Sequence, residues 1–165
     1  TAERYADRTF MSLLEDTVAV ADVRPEEYDA IYLTGGHGTM FDFPRSKALG
    51  ELIAAFHDEG RVVSAVCHGP IVFVNVTIDG KPLLQGREVA GFSNSEEDAV
   101  QLTSAMPALL EDEIKRVGGN YVKGEDWGEK LAVDGLVITG QNPASAHAVG
   151  KALAKAIGEC NCMYA

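Results

Sequence analysis

Apolar positions along the chain change period several times, and each change marks an element. Tyr5, Phe10, Leu13 and Leu14 stand at helical spacing, and Val18-Ala19-Val20 follows before the turn-like Arg24-Pro25-Glu26, which predicts a helical lead-in. Ala30-Ile31-Tyr32-Leu33 is short, apolar and partly β-branched, and it runs into Thr34-Gly35-Gly36-His37-Gly38. A buried strand feeding a glycine-rich loop is expected there. Leu49, Leu52, Ile53 and Phe56 then recur at the spacing of one helix face, with Ser46 placed to cap the start and Gly60 to close the end.

Strand character returns in Arg61-Val62-Val63-Ser64-Ala65-Val66 and stops at Cys67-His68-Gly69-Pro70; the apolar stretch 71–76 predicts a helix with Pro70 in its first turn. Gly80-Lys81-Pro82 reads as loop, and Glu88-Val89-Ala90-Gly91-Phe92 as a short strand interrupted by Gly91. Pro107 opens a helix with Leu110, Ile114 and Val117 inward and Gly118 as its stop. The stretches 131–133 and 136–138 flank Asp134-Gly135, a hairpin signal, and 145–157 reads as a closing helix. Buried strands alternating with amphipathic helices imply a mainly parallel sheet covered on both faces. Such sheets bind ligands beyond the carboxyl ends of their strands. Gly35-Gly36-His37-Gly38 and Cys67-His68-Gly69 both fall at strand ends, so the two motifs are expected to face one another.

Composition narrows the picture. The 165 residues, 46% hydrophobic and 24% charged, fit one globular domain spanning 1–165, and a chain of this size buries roughly two-thirds of its unfolded surface without staples. Fourteen Lys and Arg against 25 Asp and Glu give a formal net charge of -11, which repels nucleic acid and anionic membrane surfaces. With no signal-peptide pattern and no membrane-length apolar run, a cytoplasmic location is expected. Three cysteines, one far from the Cys160 and Cys162 pair, argue against a disulfide framework. Cys160-Asn161-Cys162 offers soft ligands without partners and reads as a frayed tail, so neither metal nor cofactor is expected.

The chemistry concentrates at Cys67. Ala65-Val66-Cys67-His68-Gly69 has the small-x-nucleophile-x-small form of a nucleophile elbow, where small flanking residues permit a strained turn that exposes the central side chain. A cysteine at such a turn sees unpaired backbone N–H groups, which predicts a thiol pKa below the ordinary value, and an adjacent imidazole can activate it. The N–H groups of Gly36 and His68 are candidates for an oxyanion hole, because a glycine-rich strand end offers donors without side-chain obstruction. Gly35, His37 and Trp127 are candidates for the pocket. His57 reads as solvated beside Asp58 and Glu59, and His147 carries no sign of a role.

Leu33-Thr34-Gly35-Gly36-His37-Gly38, Ala65-Val66-Cys67-His68-Gly69-Pro70, Gly91-Phe92-Ser93-Asn94 and Thr139-Gly140-Gln141-Asn142-Pro143-Ala144-Ser145 together resemble the ThiJ/PfpI superfamily, and its glyoxalase III and stress-chaperone branch in particular. The resemblance implies a flavodoxin-like three-layer α/β sandwich that dimerises as a homodimer. It also implies a triad in which Cys67 is nucleophile, His68 base, and a glutamate after the Gly91-Phe92 stretch orients the histidine. Glu97 fits that place best, with Glu96 the neighbouring alternative and a solvated acidic helix turn the bland one. The activity implied is cofactor-independent conversion of small 2-oxoaldehydes such as methylglyoxal to 2-hydroxy acids. A holding chaperone with an oxidant-sensing Cys67 and a cysteine peptidase are the other readings.

There are two departures from the family pattern. Relatives begin with a strand and helix that bring a glutamate to the nucleophile, whereas this sequence opens at Thr1-Ala2-Glu3. An upstream N-terminal fragment of the same protein is therefore expected as a partner, filling the middle of the sheet. Glutamine amidotransferases of related fold place a His-x-Glu pair near the final strand, where this chain has Gln141-Asn142-Pro143; its only such pair, His57 with Glu59, precedes Cys67.

Overall fold

The computed structural model describes residues 2–162, the side chains of 159–162 excepted. The chain opens with helices α1 (Ala2–Ala6) and α2 (Arg8–Ser12), then strand β1 (Ala30–Leu33), α3 (Thr39–Asp42), α4 (Lys47–Asp58) and β2 (Val62–Val66). Two short hairpin strands, β3 (Thr77–Ile78) and β4 (Lys81–Pro82), precede β5 (Glu88–Val89), α5 (Asn94–Ala99), α6 (Leu110–Arg116) and β6 (Asn120–Tyr121). The chain closes with β7 (Leu131–Asp134), β8 (Val137–Gly140) and α7 (Ala146–Cys162).

The main sheet has four strands in the order β1-β2-β8-β7. β1, β2 and β8 run parallel, and only the β7–β8 hairpin is antiparallel. Every residue of β2 and β8 is buried, as their continuous apolar character requires. Helices pack against these strands in the expected flavodoxin-like α/β arrangement. α4 begins at Ser46, whose hydroxyl accepts from Leu49 N–H, and buries Leu49, Leu52, Ile53 and Phe56, each worth about 1.5–3 kcal/mol when removed from water. Its end is a Schellman turn: Gly60, at φ 74°, donates to His57 O and Arg61 N–H reaches back to Phe56 O.

Some expectations are corrected. β1 pairs directly with β2, from Ala30 opposite Val62 to Leu33 opposite Ala65, so no gap opens in the middle of these four strands. β1 is instead an edge among the described residues. The stretch 88–92 does not join the main sheet: only Glu88–Val89 is strand, paired with β6, while Ala90 N–H donates to the Thr139 hydroxyl and Phe92 N–H to Cys67 O. Gly91 packs closely against α6: a Cβ there would lie 2.8 Å from the Leu110 side chain. The apolar run after Cys67 forms a 3₁₀ helix, Gly69–Asn75, not an α-helix, and α6 starts at Leu110, past Pro107. Gly80-Lys81-Pro82, expected as loop, belongs to a tight hairpin over 77–82 with Asp79 and Gly80 at φ 50° and 76°. His57 is not solvated: its side chain is 14% exposed and lies against Arg87. Cys160 and Cys162 belong to the last turn of α7, and the expectation about their side chains falls outside the described residues.

Candidate active site

Strand β2 stops at Val66, and Cys67 follows it, its N–H donating to Gly140 O and its backbone at φ 61°. Left-handed geometry is costly for a residue with a Cβ, and here it is held by interlocking glycines. A Cβ on Gly35 would fall 2.6 Å from Cys67 Cβ and 2.7 Å from Val66 O, and one on Gly69 would fall 2.9 Å from the carbonyls of Leu33 and Thr34. The glycine loop and the elbow therefore lie backbone against backbone, as their shared position at strand ends requires.

From that contact the site builds outward. Cys67 Sγ lies 3.3 Å from His68 Nδ1, and His68 Nε2 lies 2.7 Å from Glu97 Oε2. The backbone N–H groups of Gly36 and His68 both point at the Cys67 sulfur. Glu97 rides on α5, which is anchored beside the elbow by the hydrogen bond from Phe92 N–H to Cys67 O. The Phe92 ring lies against His68 at 4.3 Å between centroids, and Trp127 meets Phe92 edge-on at 5.7 Å. Trp127 is exposed on the other side. His37, expected in the pocket, joins the expected base His68 here: from the glycine loop it donates to the same carboxylate, its Nε2 2.9 Å from Glu97 Oε1. His147 is exposed and takes no part.

The electrostatics depart from expectation. Burial pushes the Cys67 thiol above its ordinary value, and the N–H groups of Gly36 and His68 do not overcome it. The negative charges of Glu96 and Glu97 push the same way. Burial also lowers His68, against the hydrogen bond from Glu97. Both shifts favour a neutral thiol beside a neutral imidazole, against the lowered thiol pKa expected from the elbow alone. The reason is depth: Cys67 is 8% exposed and His68 is fully buried.

Glu96 and Glu97 are both buried, so the solvated helix turn is excluded. Their roles separate cleanly. Glu96 closes a capping box with Ser93, and its other oxygen accepts from Trp127 N–H at 2.9 Å and Asn142 Nδ2 at 2.7 Å. Burial opposes its charge, yet the bonds from Ser93, Trp127 and Asn142 hold its carboxyl below the usual range. Gln141 holds the same loop, accepting from Gly124 N–H and donating to Glu125 O. Sequence reasoning missed Glu96, Gln141 and Asn142 as the frame of the site; the spacing Ser93-x-x-Glu96 was the available signal for the first.

His37, His68 and Glu97 bring three donor atoms within 4.8 Å of one another, a set with the chemistry to accept a transition-metal ion. Each is already engaged in a histidine–carboxylate–histidine chain. Among the described residues no helix is long and apolar enough to cross a membrane.

Residues 9–156 match the DJ-1/PfpI family. Glyoxalase 3 of Candida albicans is 34% identical over 92% of this chain and 67% of its own length. The glutathione-independent glyoxalase HSP31 of Saccharomyces cerevisiae is 34% identical over 86% of this chain and 62% of its own length. The solved structure of the Francisella tularensis Rapid Encystment Protein 24 kDa superposes with a TM-score of 0.89 at 34% identity, covering 94% of this chain and 70% of that one. The chain thus spans 62–67% of the length of these two curated relatives.

Proposed function

The chain belongs to the DJ-1/PfpI family, and from that premise we propose that it is a glutathione-independent glyoxalase, a cysteine enzyme that converts methylglyoxal-type 2-oxoaldehydes to 2-hydroxy acids. The observation that carries this reading is the continuous chain from Cys67 Sγ through His68 to Glu97, built on a strained elbow. Two curated relatives that are 34% identical carry glyoxalase names, which supports the substrate class.

The neutral resting pair sets the order of events. As Cys67 sulfur bonds to the aldehyde carbon, its proton passes through His68 Nδ1 to the aldehyde oxygen, giving a hemithioacetal. The N–H groups of Gly36 and His68, which favour negative charge on the Cys67 sulfur, steady the oxygen while it is charged. His68, neutral again, removes the C–H proton from that carbon to give an enediolate; protonation at the neighbouring carbon yields a thioester, and water releases the hydroxy acid. Glu97 keeps the His68 ring oriented and balances its transient charge.

The test is methylglyoxal-to-lactate turnover by the full-length protein without glutathione, wild type against Cys67→Ala. Turnover is expected in the first and its loss in the second. Absence of wild-type turnover, or its survival in Cys67→Ala, refutes the reading.

A further inference from the structure

Glu97 does more than orient His68. Its two oxygens each meet a histidine Nε2: Oε2 that of His68 at 2.7 Å, Oε1 that of His37 at 2.9 Å. A carboxylate only accepts, so each ring must carry a proton on Nε2, and in the neutral form each leaves Nδ1 as its basic nitrogen. One acid therefore fixes the tautomer of two bases. The Nδ1 of His68 faces Cys67. His37 lies against His68 at 4.3 Å between ring centroids and follows Gly36, whose N–H points at the reactive sulfur.

The three groups differ sharply in access to water. The side chains of His68 and Glu97 are 1% and 5% exposed, that of His37 35%. His68 holds whatever proton it removes from substrate, since it has no surface of its own through which to exchange it. His37 is the member of the chain that meets solvent.

We propose that His37 is a second catalytic acid–base of this site, carrying a solvent proton to the substrate carbon next to the one bonded to Cys67. The inference rests on the glyoxalase reading for its substrate. His68 Nδ1 takes the proton from the sulfur-bound carbon, and that C–H electron pair becomes the carbon–carbon double bond of the enediolate. The double-bond pair then takes the proton held on His37 Nδ1, forming the new C–H bond, while the hydroxyl proton on the sulfur-bound carbon shifts to the neighbouring oxygen. A thioester results and His37 is left neutral; water then adds to the thioester carbon as the Cys67 sulfur leaves with the proton held on His68, and the proton the water gives up restores His37 through solvent.

Two measurements on the full-length protein test this. In the first, unlabelled methylglyoxal is turned over in D2O and deuterium at C2 of the lactate is measured by NMR. Wild type should give lactate deuterated at C2. His37→Gln keeps a donor for Glu97 but carries no titratable proton; it should lose about 10²-fold in kcat with little change in KM and retain substrate hydrogen at C2. Unchanged kcat and unchanged deuteration in His37→Gln overturn the inference and leave the glyoxalase reading standing. In the second, long-range 1H–15N correlation of the histidine rings should show both His37 and His68 protonated on Nε2, with His37 changing in Glu97→Gln. A neutral His37 protonated on Nδ1 overturns the inference whether or not methylglyoxal is a substrate; absence of wild-type turnover refutes the glyoxalase reading and, with it, this catalytic role.

Discussion

His68 Nε2 and Glu97 Oε2 are 2.7 Å apart, both buried, and the bond between them ties α5 to the chemistry of the elbow. Glu97→Gln replaces an acceptor of two N–H groups by an amide with one acceptor and one donor. One of the two histidines must then turn its ring or change tautomer. A loss of about 10²-fold in kcat is expected from misplacing the base, with far-UV circular dichroism unchanged. Steady-state kinetics decides it, and turnover within a factor of two of wild type would remove Glu97 from the mechanism.

Glu96 is expected to behave differently although it is the next residue. Both its oxygens face donors: Oε2 meets the N–H and hydroxyl of Ser93, and Oε1 meets Trp127 N–H and Asn142 Nδ2. The amide of Glu96→Gln must point its NH2 at one of these pairs, leaving buried donors opposed. A cost of about 1–3 kcal/mol follows, a fall in Tm of roughly 3 to 10 °C for a chain of this length. Trp127 is the only tryptophan, so its fluorescence should shift as the loop loosens. An unchanged Tm and emission maximum would show that Glu96 is not the frame of the site.

The pH dependence follows from burial. Cys67 is pushed up, so at neutral pH it is a thiol and its intrinsic alkylation should be slower than that of free cysteine, rising only above the ordinary cysteine range. His68 is pushed down, chiefly by burial, so it stays a neutral base as pH falls into mildly acidic solution. For stability the signs are opposite. Below the ordinary histidine range the unfolded chain takes up a proton that folded His68 refuses, so stability falls as pH falls; above the ordinary cysteine range the unfolded thiol releases a proton that folded Cys67 keeps, so stability falls as pH rises. Iodoacetamide rates across pH check the first statement and urea midpoints the second. Cys67 reacting faster than free cysteine at mildly acidic pH would overturn both assignments.

What the sequence revealed was local. Ser46 and Gly60 bracket α4, Asp134-Gly135 turns the β7–β8 hairpin, and the small residues around Cys67 make the elbow, because each pattern acts within a few residues of itself. What it hid was set by contacts between distant segments. The thiol's pKa turned on how deeply Cys67 is buried, which the elbow motif does not encode. Phe92 leaves the strand pattern because its N–H is captured by Cys67 O, and His37 joins the site through Glu97. Asp79-Gly80 is the exception. Its two positive φ angles are those of a tight hairpin that this dipeptide favours, and the signal lay in the sequence.

The glycine loop offers a last prediction that separates space from backbone conformation. Gly35, Gly36 and Gly38 lie within four residues, yet they are glycine for different reasons. A Cβ at Gly35 would overlap Cys67 Cβ at 2.6 Å and Val66 O at 2.7 Å, so Gly35→Ala must push the elbow away from the loop. Displacing a nucleophile by a fraction of an ångström to an ångström costs up to about 10²-fold in rate, and the strain should cost about 1–3 kcal/mol in stability. Gly36 has open space around it but stands at φ 114°, where alanine is strained, so Gly36→Ala should shift the N–H that points at the sulfur and lower kcat with a smaller change in Tm. Gly38 has open space and an ordinary helical φ of -56°. Gly38→Ala should therefore leave both rate and Tm near wild type. Kinetics and thermal melts on the three variants test the ranking. If Gly38→Ala is as damaging as Gly35→Ala, the loop is constrained by something other than its contact with the elbow, and the interlock that holds Cys67 at φ 61° is not the cause of its geometry.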